Sequence, residues 1–586
     1  MNLVQFLKKI DMAVSGMSKE QLKSYIHEIA RTLPEERRQY FLETLEAVQN
    51  GRDVSTVKPG KHHKDIYSEI KEIMDVLAEI NHGDRCLDSE YNEEWDDWYN
   101  SEADEVLFSD PEGLLQDIRT GIDLLHKCVD MELYREGCEL AELLSVLEVS
   151  VEGDYNDYDG TPLGIHELYD HQLLEGTFRQ VMGESLYLIY MGNESADRAE
   201  ELYCMMGNYG CYEISLEEIM QRGSQDLPEL KEFLSSWIDY LGNQTGMGAK
   251  KLLLEGQAMV GDTDRMLESA KKFVHHHPEL YQQLLEKIRE SEDWEQMLSI
   301  GLEALDHIPV NNTIRSKIAL LAAEAAGRMK DCDRTEACWM EAFRSQTTVV
   351  NYMRIRFLTR DWKRYRRETE QIYQEVYERS KQESKTGMGY YYGQQYNSLH
   401  HHTYCMLLFF DRKYEEVIRT GMNEKRALGW SLTFMKEGIA LFLLLLYKGK
   451  TLSIGMDTML RRVVSDCGFC ADQFFEGTCS GDGKMEKEFF WELFDQWKEE
   501  ADLPEEDCSR WMKMVEGYIS MRTEGIMEAN RRNYYGECAA WIAAYGEVCE
   551  SRGTYGAKAE IMGAYKAKYS RRRAFHQELR SYGMKS

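Results

Sequence analysis

Proline is scarce in this chain: Pro34, Pro59, Pro111, Pro162, Pro228, Pro278, Pro309 and Pro504 are the only ones among 586 residues, and none lies between Pro309 and Pro504. Each fits a helix first turn, a helix end or a loop, because an interior proline removes a hydrogen bond and clashes with the preceding turn. Long apolar runs are missing too. The longest, Ile439 to Tyr447, has nine residues, far fewer than the roughly 20 that span a bilayer, and is expected to be a buried helix. No Cys-x-Cys occurs, and the fourteen cysteines are scattered without a framework, which points to reduced thiols in a cytoplasmic compartment. Positive charge is short: 70 Lys and Arg stand against 103 Asp and Glu, a net charge of −33. A field of that sign repels nucleic acid and anionic membrane over most of the surface. The start, MNLVQFLKKIDMAVSG, reads as an amphipathic helix interrupted by charge, not as a signal peptide.

Apolar residues make up 43% of the chain and charged ones 30%, enough to bury a core. Plentiful Met and Leu and few alternating β-branched runs predict an all-α fold. Ser18 and Gln21 form a capping box ahead of an apolar face of Leu22, Tyr25, Ile26 and Ile29. With Pro34 opening the next helix, residues 1–50 read as a helical hairpin, and 51–63, which contains Pro59-Gly60, as a linker. A helical region is expected over 64–195, where Ile66, Ile70, Ile73, Val76, Leu77 and Ile80 trace a stripe. Within it, 84–112 holds twelve acidic residues and one basic, interleaved with Tyr91, Trp95, Trp98, Tyr99 and Phe108. Asp110-Pro111 is expected to open a helix, and Ser150 to Ile165 to be a polar loop.

The middle holds an internal repeat. Met266, Met297, Thr335 and Tyr365 anchor a common register at spacings of 31, 38 and 30, and Phe273, Ala304, Ala342 and Ile372 lie seven residues after each. Tyr414 and Val417 restart it. Glu292 to Pro309 (EDWEQMLSIGLEALDHIP) resembles the second helix of a tetratricopeptide (TPR) repeat, with Met297 and Tyr365 in place of its small residue and spacings that depart from about 34. The resemblance covers residues 195–425. It implies an α-solenoid of stacked helical hairpins, here 196–425, followed by a C-terminal capping region, 426–586. It also implies a surface that holds a protein or peptide partner. The C-terminal YKAKYSRRRAFHQEL more faintly resembles the helical region that accompanies bacterial SWIM-type zinc fingers. Without the defining CxCxnCxH motif, no zinc or DNA role follows from it.

The chemistry-bearing motifs are incomplete. Cys467 and Cys470, with Cys479 beyond, make the best metal site, but a zinc centre wants four ligands and a second pair is missing. His275 to His277 and His400 to His402 cannot converge, because consecutive helical residues point about 100° apart. His166 and His171 are one residue too far apart for an HExxH pair, and Asp154 to Gly160 lacks the bidentate acid of an EF-hand. Gly477 to Lys484 is one residue too long for a phosphate loop and is followed by Met485.

No catalytic residue or cofactor is therefore expected, and the primary expectation is a non-enzymatic scaffold. Its partner-binding strip is Tyr91, Trp95, Trp98 and Tyr99, since aromatics carry interface energy. A nucleic-acid-associated accessory protein is the alternative, using Arg354, Arg356, Arg360, Lys363, Arg364, Arg366 and Arg367, which oppose a single acid, Asp361. A zinc-binding regulatory protein at Cys467, Cys470 and Cys479 is a further one.

Overall fold

The computed structural model describes residues 16–32, 41–42, 44–45, 62–91, 106–153, 161–210, 212–223, 227–386, 396–478, 486–501 and 503–585. The described residues form a mostly helical structure, 71% helix in 27 helices, with one three-stranded sheet among them. It forms two compact units, Met1–Asp262 and Thr263–Ser586. The boundary expected at 195/196 falls inside the first, and that at 425/426 inside the second.

The first unit holds α1 (Lys19–Thr32), α2 (His62–Asn81), β1 (Cys86–Tyr91), β2 (Val106–Ser109), α3 (Leu114–Asp130), α4 (Tyr134–Ser145), β3 (Ser150–Gly153), α5 (Ile165–Asp170), α6 (Phe178–Gly192), α7 (Arg198–Asn208), α8 (Leu216–Met220), α9 (Leu230–Leu241) and α10 (Met247–Val260). The capping box at α1 forms: Ser18 N donates to Gln21 Oε1 at 2.8 Å and Gln21 N to Ser18 Oγ at 3.3 Å. On α2 the stripe buries Ile70, Ile73, Leu77 and Ile80 against α3 and α4. The core centres on α6, whose Leu186 to Tyr190 are wholly buried where α3, α4, α7 and α8 meet it.

Two differences from the all-α expectation lie here. The ends of the acidic segment are strands β1 and β2, which join β3 in the order β2-β1-β3. β1 pairs antiparallel with β2 (Tyr91 opposite Val106) and parallel with β3 (Cys86 opposite Ser150). The strands are short, and a buried Ser89 and an exposed Leu107 break the period-two apolar pattern. β3 also occupies part of the expected loop. Its terminal Gly153, at φ +90°, has a conformation that a side chain would strain. Second, Asp110-Pro111 precedes α3 rather than opening it. Residues 111–112 form a turn, and the Asp110 carboxylate reaches past it to accept the Leu114 and Leu115 amides at 2.9 and 2.8 Å. It still satisfies helix-terminal donors, from one turn further back.

The second unit runs α11 (Thr263–Phe273), α12 (Glu279–Glu290), α13 (Trp294–His307), α14 (Ile314–Arg328), α15 (Cys332–Ser345), α16 (Val349–Leu358), α17 (Trp362–Thr386), α18 (His401–Phe410), α19 (Tyr414–Gly421), α20 (Met435–Leu446), α21 (Ile454–Asp466), α22 (Ala471–Phe475), α23 (Glu486–Glu499), α24 (Glu505–Glu528), α25 (Tyr535–Ser551), α26 (Ala557–Lys568) and α27 (Arg573–Ser581). Successive helices pack on one another from α11 through α17. The repeat has a structural meaning. Met266, Met297, Thr335, Tyr365 and Val417 each stand fourth in α11, α13, α15, α17 and α19, and all five are buried.

A turn recurs as well. At α14/α15, α18/α19 and α24/α25 a non-glycine residue takes a left-handed conformation (Lys330, Arg412 and Asn530). The next amide then reaches back five residues: Asp331 N to Ala326 O, Lys413 N to Leu408 O and Arg531 N to Ile526 O, at 2.9 to 3.0 Å. This bond occupies carbonyls that a helix end leaves open and folds the following helix back on the one before. In the first unit, α3/α4 closes the same way at Glu132, with Leu133 N on Cys128 O. The apolar run from Ile439 lies mostly in α20 and is buried among α19, α21, α24 and α25.

Candidate functional site

α15 presents Cys332, Thr335, Glu336 and Trp339 at intervals of three, one and three, which places them on one helix face. That face lines a cleft of about 320 Å³ together with Gly327, Leu358, Arg360, Phe475 and Thr478. The helix starts where it does because Asp331 accepts the Arg334 amide at 3.1 Å, satisfying one of its free N-terminal donors.

The far wall is a strap, α22 and the residues to 478. Trp339 Nε1 donates to Gly477 O at 3.0 Å, and Lys317 reaches Glu476 at 3.0 Å. Arg354, interior to α16, donates to Phe474 O at 3.0 Å, and also to Gln473 O and to Asn351 Oδ1. Burial lowers that guanidinium to about 10, so it remains charged at neutral pH. Gly477 lies at φ +74°, and a Cβ there would stand 2.8 Å from Leu320 O. Only glycine lets the strap run this close.

The cleft has an apolar floor of Trp339, Leu358 and Phe475 and a polar rim. Glu336 Oε1 accepts Arg360 N and Nε at 2.9 Å each, and its Oε2 accepts Tyr365 Oη at 2.9 Å. Arg360 also donates to Asp333. Burial is the largest influence on Glu336 and opposes ionisation. The hydrogen bonds from Arg360 and Tyr365 together outweigh it and hold the carboxyl below its ordinary 4.5. A carboxyl depressed in the folded state contributes stability that is present above its unfolded pKa and lost as pH falls through the folded value. Thermal melts of wild type and Glu336→Gln should therefore differ by a constant amount from pH 7 to pH 5, and the difference should shrink below pH 4.5.

A second buried acid is held by α17. Asp411 accepts Arg366 Nε and Tyr373 Oη, each at 3.1 Å. Burial raises its carboxyl, and Arg366 only partly offsets this.

The basic residues expected to form a ridge are thus divided. Arg354 and Arg356 are buried, the latter paired with Glu500 and stacked on Trp362. Arg360 and Arg366 are paired as above, while Lys363, Arg364 and Arg367 are exposed. The sequence carried a sign of this, because α16 (VVNYMRIRFL) is apolar on every side, so that arginines within it must be interior. Tyr91 ends β1 and is 48% exposed; Trp95, Trp98 and Tyr99 lie outside the described residues. Cys467 is buried with its thiol on Met406 Sδ at 3.5 Å, and burial pushes that thiol up. Cys470 precedes α22, and Cys479 lies outside the described residues. Among the described residues no three metal-ligating side chains converge, and no helix is long and apolar enough to cross a membrane.

Sequence reasoning did not find the cleft. Its helix-face spacing was legible, but the strap that closes it lies some 140 residues away. These features define a class only: a mostly helical protein of sequentially packed helices with a small sheet. The chain matches no protein-family model and no curated protein.

Proposed function

We propose that the chain is a non-enzymatic scaffold or adaptor, an α-solenoid of TPR-like helical hairpins that binds a protein or peptide partner on its helical surface. The observation that carries this reading is the cleft, set in a run of helices with one recurring buried register. A Trp and Phe floor beside a charged rim suits the anchor side chain of a peptide, because buried aromatic contacts dominate interface energy. At about 320 Å³ the cleft is at the small end of ligand pockets, roughly 300 to 1,000 Å³, and takes one large side chain. The helical fold supports this by analogy alone, since repeat arrays host many functions. The alternative, nucleic-acid binding, has three exposed cations on α17 in its favour, a smaller footing than the seven that the sequence offers.

The test is a tagged pull-down from nuclease-treated lysate with the wild type and with Cys332→Trp. Cys332 is exposed at the cleft, so the indole fills the space without entering the core. One protein recovered at near-equal amount by the wild type, and reduced about tenfold by the variant, is the expected result, equivalent to about 1.4 kcal/mol. Equal recovery by the variant would remove the cleft as the site. Recovery of no protein near equal amount would remove the adaptor reading.

A further inference from the structure

Most arginines of the second unit have a carboxylate or carbonyl partner, as do Arg315, Arg344, Arg356, Arg360 and Arg522. Four that do not are gathered in one place. Arg531 and Arg532 are exposed in the α24/α25 turn, Arg571 is exposed in the α26/α27 turn, and Arg573 is exposed as the first residue of α27. The two turns are tied together. Arg572 donates to Met527 O at 2.9 Å and to Asn530 Oδ1, and the Tyr535 and Phe575 rings stand 5.7 Å apart. The four free guanidinium groups flank this tie on both sides. Among the described residues none of them has a side-chain hydrogen bond or an ion pair. The nearest carboxylates along the chain, Glu528 and Glu578, pair with none of them, and Glu524 is taken by Lys568 at 3.3 Å.

In a chain of net charge −33, four unneutralised cations on two touching turns are an anomaly. None of the four is paired among the described residues, so an external anion lowers their energy. Guanidinium is the cation suited to planar, bidentate pairing with carboxylates. A guanidinium also offers its plane to an aromatic ring, as Arg522 does to Tyr534 at 5.1 Å close by.

We propose that the α24/α25 and α26/α27 turns form a docking site for a short acidic peptide that carries aromatic side chains. Length decides between this and a nucleic acid. The patch covers two turns, and the rest of the chain is strongly acidic. With a Debye length of about 8 Å, a polymer charged every few ångströms runs off the patch into a repulsive field, whereas a peptide of a few residues stays on it. This site is separate from the cleft, and either can fail without the other.

The test is fluorescence anisotropy of fluorescein-labelled EEWEEWE with the full chain at low salt. Its uncharged counterpart QQWQQWQ and a labelled oligothymidylate serve as comparisons. EEWEEWE should bind and weaken as salt rises, and R531A/R532A/R571A/R573A should reduce its affinity about tenfold or more. The four side chains bind nothing within the molecule, so the melting temperature should hold. If the quadruple variant melts early, R531A/R532A alone should still cost about threefold. Absence of EEWEEWE binding, equal binding of QQWQQWQ, or affinity unchanged in the variants would overturn the proposal. So would tighter, arginine-dependent binding of oligothymidylate, which would reassign the patch to nucleic acid.

Discussion

Arg354→Met should lower the stability of the second unit by about 3 kcal/mol, read as a shift of the urea midpoint at unchanged slope. Methionine nearly fills the volume, so packing is not the cause. Arg354 is almost wholly buried and donates to the carbonyls of Gln473 and Phe474 in α22 and to Asn351. A buried ion pair can often be exchanged for apolar residues without loss, because both partners leave together. Here two of the partners are backbone carbonyls, and they stay. Each buried acceptor left unsatisfied costs about 1 to 3 kcal/mol. The strap should loosen at the same time, so Cys470, half-buried just before α22, should gain reactivity toward a thiol reagent in the variant. A midpoint within error of wild type would show that the guanidinium is dispensable and that the strap is held elsewhere.

Gly455→Val should be of similar size for a different reason. Gly455 lies in the first turn of α21, where that helix meets α25 backbone to backbone. A Cβ there would stand 2.7 Å from Ala544 N and 3.0 Å from Ala543 C. Neither is the end of a flexible side chain, so the helices must part. Parting them also breaks the cap of α21, since Glu547 of α25 accepts the Gly455 and Met456 amides at 3.0 and 2.8 Å. Overpacking alone costs about 1 to 3 kcal/mol, and the lost cap adds about 1. The total should be roughly 3 kcal/mol in the same urea assay. Gly563, inside α26, is the control. A Cβ there meets nothing within 4 Å, so Gly563→Ala should stabilise by up to about 1 kcal/mol through helix propensity. Equal effects at the two glycines would mean that propensity and not close approach governs both.

Much of this fold could be read from the chain. Period-3.6 apolar stripes mark helices such as α2, and the Ser18–Gln21 capping box forms with its expected bonds. The register anchored at Met266, Met297, Thr335 and Tyr365 recurs as one buried position in alternate helices. All of these are local: a helix is set by residues three and four apart, and a repeat by identities at fixed offsets. The sheet was not legible, because β1 and β3 are short, and their pairing joins residues more than sixty positions apart. Nor was the helix start after Asp110, where the turn at 111–112 intervenes before the carboxylate finds its amides.

The candidate site divides in the same way. The face Cys332, Thr335, Glu336 and Trp339 follows from helical geometry once α15 is recognised. That it lines a cleft depends on Phe475 and Thr478, brought there by contacts of Arg354, Lys317 and Trp339 with a distant strap. Charge shows the limit most plainly. Seven basic residues between 354 and 367 look alike in sequence, yet burial turns Arg354 and Arg356 into struts and leaves Lys363, Arg364 and Arg367 in solvent.

The sequence by itself determined the helices, their repeat and the net acidity, because these depend on composition and near neighbours. Tertiary structure alone decided which charged side chains are interior, where a cleft opens and which two turns share four free arginines. Those outcomes depend on which distant surfaces come together to bury apolar area, and no local pattern records that.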